Sequence, residues 1–282
     1  MFKNVGIAGA GQMGRGIAEV CARAGLAVTL YDISDDVAAG ALAAVDASLA
    51  RAEQRGTIGA AEREQALAAI RPTGDISQLA DADLIIEAAT EREDLKIALF
   101  RQLDEVAAPS AVLASNTSSI PIARLASATR RSEHVVGLHF FNPVPRMPLV
   151  EVIRALRTSE ATVAAVREFA VDVLGKTVIN AQDRSGFVVN ALLVPYLVAA
   201  IRMLEAGHAT AEDIDTGMTA GCAHPMGPLH LADLIGLDTV AAIGEAMYDE
   251  YREPLYAPPP LLRRMVESGL LGRKTGQGFF AY

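Results

Sequence analysis

A chain of 282 residues is long enough for one large or two ordinary domains with a real buried core. With 51 % hydrophobic and 21 % charged residues it has a globular composition, which excludes a disordered chain. A formal net charge of −9 argues against wide, non-specific nucleic-acid binding, which needs a basic face, and leaves room only for a local basic patch. The two cysteines, Cys21 and Cys222, lie far apart without metal-ligand neighbours, so reduced thiols and no metal are expected. Met1-Phe2-Lys3-Asn4 runs directly into a strand, and no signal peptide is expected. The most apolar run, Phe187 to Ile201, is interrupted by Asn190 and Pro195 and reads as a core helix, not a membrane span. A cytoplasmic protein follows from these readings.

In chain order, Val5 to Ala8 reads as a strand, Met13 to Ala24 as a helix and Ala27 to Tyr31 as a second strand. A long alanine-rich helix is expected from Asp35 to about Arg55. After another helical segment come strands at Asp83–Glu87, Ala111–Ala114, Val135–His139 and Leu149–Ile153. Short continuous apolar runs between helices mean a buried, mostly parallel sheet with helices on both faces. From Phe187 onward the patterns are helical, and Thr210-Ala211-Glu212-Asp213 reads as a capping box before a new helix. The expected architecture is α/β: a Rossmann-like mostly parallel sheet domain over residues 1–184, followed by an all-helical C-terminal domain over residues 185–282.

Gly9-Ala10-Gly11-Gln12-Met13-Gly14 stands between the first strand and the first helix. The first glycine permits a tight turn, the second lets a pyrophosphate approach, and the third lets the helix pack on the strand. The N–H groups and the positive dipole end at the helix start suit phosphates. Asp32 closes the second strand, where a carboxylate accepts from both adenosine ribose hydroxyls and repels a 2′-phosphate. NAD is therefore expected over NADP. The alternative is that Asp32 only caps a turn.

Oxidising an alcohol by hydride transfer needs a base near neutral pH, which suits histidine. Of His134, His139, His208, His224 and His230, His139 is best placed, at the carboxyl end of a predicted strand where open α/β sheets bind ligands. His134 sits at the opposite edge and is expected to be solvated. His208 follows a helix, and His224 and His230 flank the Pro225–Pro228 loop; these three read as structural. Glu151, flanked by apolar residues on both sides, needs a partner if buried. Pairing with His139 would fix the tautomer and stabilise the imidazolium. The alternative is an exposed strand face.

Gly137-Leu138-His139-Phe140-Phe141-Asn142-Pro143-Val144-Pro145 with Leu149-Val150-Glu151-Val152 resembles the signature of 3-hydroxyacyl-CoA dehydrogenases. Ser115-Asn116-Thr117-Ser118-Ser119, Asp183-Arg184-Ser185-Gly186-Phe187-Val188-Val189-Asn190, Pro225-Met226-Gly227-Pro228 and Gly272-Arg273-Lys274-Thr275-Gly276 resemble further motifs of that family, in order along the chain. The resemblance implies NAD-dependent oxidation of (S)-3-hydroxyacyl-CoA, with single-function 3-hydroxybutyryl-CoA dehydrogenases most alike in length. It places the chain in fatty acid metabolism. It implies His139 as base, Glu151 as its partner, and Ser118 and Asn190 on the substrate oxygens or orienting His139. Gly9, Gly11, Gln12, Met13, Gly14, Asp32, Glu91, Lys96, Ser118, Asn142 and Lys274 would line the dinucleotide. Ser48 and Arg55, with Arg51 one turn from each, would make a face for coenzyme A, to which Ser118 also belongs; a solvated helix face is the alternative. A homodimer is implied, with Leu192, Leu193, Val194, Leu197 and Ile201 as candidates for its interface or for an internal core. Ser185 departs from the proline common in the family. Two rival functions stay open: a dehydrogenase of the same build acting on a free hydroxy acid or sugar acid, and a non-catalytic dinucleotide-binding sensor.

Overall fold

The computed structural model describes residues 2–282, and the chain divides into two compact units, Met1–Arg184 and Ser185–Tyr282. The first contains β1 (Asn4–Ala8), α1 (Gln12–Arg23), β2 (Ala27–Tyr31), α2 (Asp35–Gln54), α3 (Ala60–Ala68), β3 (Ile70–Thr73) and β4 (Leu84–Glu87). It continues with α4 (Glu93–Val106), β5 (Val112–Ser115), α5 (Ile122–Ser127), β6 (Val135–Phe140), β7 (Leu149–Arg154), α6 (Glu160–Glu168) and β8 (Thr177–Gln182). The strands form one sheet in the order β3-β2-β1-β4-β5-β6-β7-β8. Every neighbouring pair is parallel except β6 and β7, which run antiparallel.

The central strands β4, β5 and β6 are buried along their whole length, as apolar runs covered on both faces must be. Ile7, Ile17, Leu30, Leu49, Leu84, Ile86, Leu138 and Val150 belong to the core beneath α1 and α2. Ser34 caps α2, its hydroxyl accepting from the Val37 N–H at 3.3 Å, and Asp35 and Asp36 complement the positive end of the helix.

The expected α/β architecture is present, with two strands added. Both are sheet edges. β3 carries Pro72, which only an edge strand tolerates, and β8 is largely half-exposed, so neither shows the apolar run of a buried strand.

The second unit is built from α7 (Val189–Glu205), α8 (Ala211–Cys222), α9 (Pro228–Ile235), α10 (Leu237–Tyr251) and α11 (Pro260–Glu267). Leu197, Ile201, Leu229, Leu237, Val240 and Leu262 form its core. Thr210 caps α8 as the sequence suggests, accepting from the Asp213 N–H at 3.1 Å. Asp233, 1 % exposed, accepts from the N–H groups of Phe279 and Phe280 and from the Tyr282 hydroxyl, which fastens the last residues onto α9. No helix among the described residues is long and apolar enough to cross a membrane. Both cysteines are free thiols, and burial pushes Cys21 up to about 12 against the opposing pull of Lys176.

Candidate active site

The glycine loop joins β1 to α1, and its three glycines are required for different reasons. Gly9 has φ +113°, and a Cβ there would lie 2.6 Å from the Ala89 nitrogen. A Cβ on Gly14 would lie 1.8 Å from the Gly9 oxygen. A Cβ on Gly11 would meet nothing of the protein within 4 Å. Protein packing therefore requires the first and third glycines, and leaves open space at the second, where a pyrophosphate can approach the backbone. Gly11 also opens α1 without a side-chain cap, which leaves the first-turn N–H groups of Gln12, Met13 and Gly14 for an anion.

Asp32 sits at the end of β2, facing this loop. One carboxylate oxygen accepts from the Ala10 N–H at 2.6 Å and the other from the Ile33 N–H at 2.7 Å. Asp32 therefore clamps the glycine turn, and each oxygen keeps acceptor capacity for a ribose hydroxyl. Beside it Ile33 is 83 % exposed, an apolar side chain at a polar loop edge.

Behind the turn lies a network that joins β4, α4 and β5. Glu87, 0 % exposed at the end of β4, accepts from the Lys96 ammonium at 2.5 Å, the Ser115 hydroxyl at 2.6 Å and the Ala89 N–H at 2.7 Å. Lys96 also reaches Glu91 at 3.2 Å. Glu91 accepts from the Thr117 hydroxyl at 2.5 Å, the Ser118 N–H at 3.0 Å and the Ser119 hydroxyl at 3.0 Å. Burial pushes the Glu91 carboxyl up, but Lys96 and the hydroxyl and amide donors outweigh it and hold it below the ordinary range. Glu91 thus organises the serine turn that presents Ser118. Lys96, which the resemblance set along the dinucleotide, is 1 % exposed and saturated with acceptors. In this structure it braces Glu91 from behind.

The antiparallel pairing of β6 with β7 sets His139 directly opposite Glu151. Directly opposed side chains share one face of a sheet, and here His139 Nδ1 and Glu151 Oε2 are 2.7 Å apart. Glu151 is fully buried, so the exposed-face alternative is removed. The Phe141 ring packs on the imidazole with centroids 4.6 Å apart. Asn116 Oδ1 accepts from the Phe140 N–H at 2.8 Å and ties the serine turn to the strand carrying His139. Asn142 lies exposed just beyond β6, before Pro143.

On α2, Ser48 is half-buried, and Arg51 and Arg55 are exposed. In the second unit, Asn190 stands in the first turn of α7, and the Lys274 ammonium pairs with Asp238 at 2.5 Å. The remaining histidines have structural settings. His224 Nδ1 lies 3.1 Å from the Tyr196 hydroxyl, and His230 Nδ1 lies 2.6 Å from Asp215 with its ring stacked on Phe280. His208 is exposed. His134, expected to be solvated, is half-buried, with Nδ1 enclosed and without a hydrogen-bond partner.

Residues 4–184 match the family model of the 3-hydroxyacyl-CoA dehydrogenase NAD binding domain, and residues 186–282 match that of the 3-hydroxyacyl-CoA dehydrogenase C-terminal domain. The chain belongs to the 3-hydroxyacyl-CoA dehydrogenase family. A 3-hydroxybutyryl-CoA dehydrogenase of Mycobacterium tuberculosis is 54 % identical to it over 282 residues, covering 100 % of this chain and 99 % of the relative. The crystal structure of (S)-3-hydroxybutyryl-CoA dehydrogenase from Ralstonia eutropha superposes with a TM-score of 0.95 at 46 % identity, over 100 % of this chain and 99 % of that one. The mitochondrial hydroxyacyl-coenzyme A dehydrogenase of Sus scrofa is 40 % identical, over 100 % of this chain and 92 % of the relative.

In this member of the 3-hydroxyacyl-CoA dehydrogenase family, Glu87 and Asn116 tie the site together without having been expected from the sequence. Glu87 ends an apolar run and its cation lies nine residues on in the next helix, a strand-end acid followed by a helical lysine that would have been the available signal.

Proposed function

We propose that this chain oxidises (S)-3-hydroxyacyl-CoA, with 3-hydroxybutyryl-CoA as its substrate, to the 3-ketoacyl-CoA, using NAD. The observation that carries this reading is the buried His139–Glu151 pair, 2.7 Å apart on the face shared by β6 and β7. The open approach at Gly11, the uncapped start of α1 and the Asp32 carboxylate fit a dinucleotide. When bound, NAD supplies the acceptor for the C3 hydride.

The protein's own part is proton transfer and positioning. Glu151 holds the Nδ1 proton, which makes Nε2 the atom that takes the 3-hydroxyl proton. The same carboxylate stabilises the imidazolium that forms. In the reverse direction the imidazolium returns that proton. Ser118, set by Glu91, offers a hydroxyl to the substrate oxygen, where a donor stabilises developing negative charge. Family resemblance supports the same role for Asn190, and a place along the dinucleotide for Asn142, Glu91 and Lys274. Ser48, Arg51 and Arg55 on α2 are assigned to coenzyme A. We further assign a homodimer in the cytoplasm. Leu192 and Met203 on α7 and Leu234 on α9, exposed at 74 %, 45 % and 48 %, support an interface on the second unit.

The deciding assay is NADH formation with 3-hydroxybutyryl-CoA against free 3-hydroxybutyrate. Turnover of the thioester, lost by orders of magnitude in His139→Gln while NAD still binds, is expected. Equal turnover of the free acid would move the chain to the hydroxy-acid reading, and absence of turnover with either would make it a sensor.

A further inference from the structure

One buried cation has no part in the proton transfer. Lys176 directly precedes β8 and is 9 % exposed. A lysine is rarely enclosed unless its ammonium is partnered. Among the described residues Lys176 forms no ion pair. Its Nζ donates instead to the Val144 carbonyl at 2.7 Å and to the Met147 carbonyl at 2.8 Å. Both carbonyls belong to the loop of residues 141–148 that joins β6 to β7. The Lys176 backbone is itself fixed, since its N–H donates to the Ala170 carbonyl at 2.8 Å. The next residue extends the grip, with the Thr177 N–H donating to the Pro148 carbonyl at 2.8 Å.

The composition of the loop explains why it needs an outside donor. Pro143, Pro145 and Pro148 carry no N–H. The N–H groups of Arg146 and Met147 both turn back to the Pro143 carbonyl, at 2.9 and 3.0 Å. Those two donors are spent on one acceptor, and the Val144 and Met147 carbonyls take theirs from Lys176. An ammonium suits the task, because it offers three donors from one atom and its charge strengthens each bond.

The loop opens at Phe141, whose ring packs on the His139 imidazole with centroids 4.6 Å apart. Pro143 and Pro145 hold φ at about −65°, so the segment from Val144 back to Phe141 is stiff and passes on a displacement instead of absorbing it. We infer that Lys176 is a positioning residue for the reaction: its ammonium anchors the loop and so holds Phe141 against the imidazole. This rests on the reading of His139 as the base.

The test measures kcat for 3-hydroxybutyryl-CoA at saturating NAD, per folded enzyme, together with amide hydrogen exchange over residues 141–147. Lys176→Met keeps the stem and removes every donor. Its kcat is expected to fall about 10²-fold, the scale of a misplacement of about 1 Å in a catalytic site, and exchange over the loop to become faster. Phe141→Ala is expected to lower kcat to the same degree, and the double variant to lose nothing more, since one residue acts through the other. Lys176→Gln keeps two donors on a shorter stem and is expected to show a smaller loss of the same kind; it keeps the test decidable if the methionine variant does not fold. Wild-type kcat in either Lys176 variant, unchanged exchange over the loop, or losses that add to those of Phe141→Ala would each overturn the inference and leave Lys176 as a stabilising residue alone. A wild-type chain that fails to turn over the thioester would instead overturn the reading of His139, and the inference with it.

Discussion

His139 depends on the residue across the strand pair more than on its own surroundings. Glu151 is fully buried, and its Oε2 lies 2.7 Å from the imidazole Nδ1. Glu151→Gln keeps the shape but removes the countercharge of the imidazolium. We expect kcat to fall by about 10²–10⁴-fold with little change in the Kd for NAD, read by steady-state kinetics and by NADH fluorescence titration. A parallel fall in NAD affinity would show that Glu151 shapes the dinucleotide site instead. The buried Glu87–Lys96 pair makes a contrasting case. Lys96→Met strands a carboxylate with 0 % exposure, at a cost of about 3–5 kcal/mol in denaturant unfolding. Adding Glu87→Gln should recover most of that loss. An unchanged unfolding midpoint in the single variant would mean that the Ser115 and Ala89 donors suffice for Glu87 without a countercharge. The His139–Glu151 pair was legible in the sequence because a charged residue inside Leu149-Val150-Glu151-Val152-Ile153 has no bland explanation once it is buried. The burial of Glu19 was not, because an acid in Gly16-Ile17-Ala18-Glu19-Val20 looks like the polar stripe of an ordinary helix.

At the scale of elements, the β1–α1 turn separates folding from binding within six residues. Gly14→Ala drives a methyl into the Gly9 carbonyl and should lower Tm markedly. Gly11→Ala meets no protein atom, so Tm of the ligand-free protein should hold while KM for NAD rises. If Gly11→Ala binds NAD as wild type does, the dinucleotide does not pass over this residue. Thr210→Ala removes the cap of α8 and should cost about 1 kcal/mol in unfolding free energy. Helix α2 was readable to within a residue, expected from Asp35 to about Arg55 and found over Asp35–Gln54, because its alanine-rich stretch is long. Strands β3 and β8 were hidden for the opposite reason: an edge strand has one neighbour and half its surface in water, so its sequence need not be apolar.

Across the molecule, acid sensitivity follows from carboxylates that the fold holds ionised. Burial pushes Asp104 up, but the Arg130 N–H and the Arg130 and Arg131 guanidinium groups outweigh it, and the net value lies below the ordinary 3.8. Asp83 is held below 3.8 by the N–H groups of Asn4 and Lys3. A depressed folded pKa means that the unfolded chain binds the proton more tightly. The stabilisation is therefore fully present above about pH 4 and is lost as pH falls through the folded values. Asp83→Asn with Asp104→Asn should be less stable than wild type at pH 7, and the gap should narrow toward pH 3. A gap independent of pH would assign the loss to packing. The division into Met1–Arg184 and Ser185–Tyr282 was visible as a change from strand-and-helix alternation to helix alone. What the sequence could not show was how charges pair between helices, since α1, α2 and α3 meet through residues 10 to 39 positions apart.

The reversal of direction between β6 and β7 limits how this enzyme can change over evolution. Side chains alternate across a strand, so sliding β7 by one place against β6 would set Val150 or Val152 opposite His139 and turn the acid to the other face. The loop of residues 141–148 is pressed at Val144 against α1, where only Gly16 leaves room, so it has little slack to absorb an added residue. Insertions and deletions there should be far scarcer among functional descendants than substitutions. A library of single-codon insertions across residues 141–148, screened for turnover, should return almost no active clones.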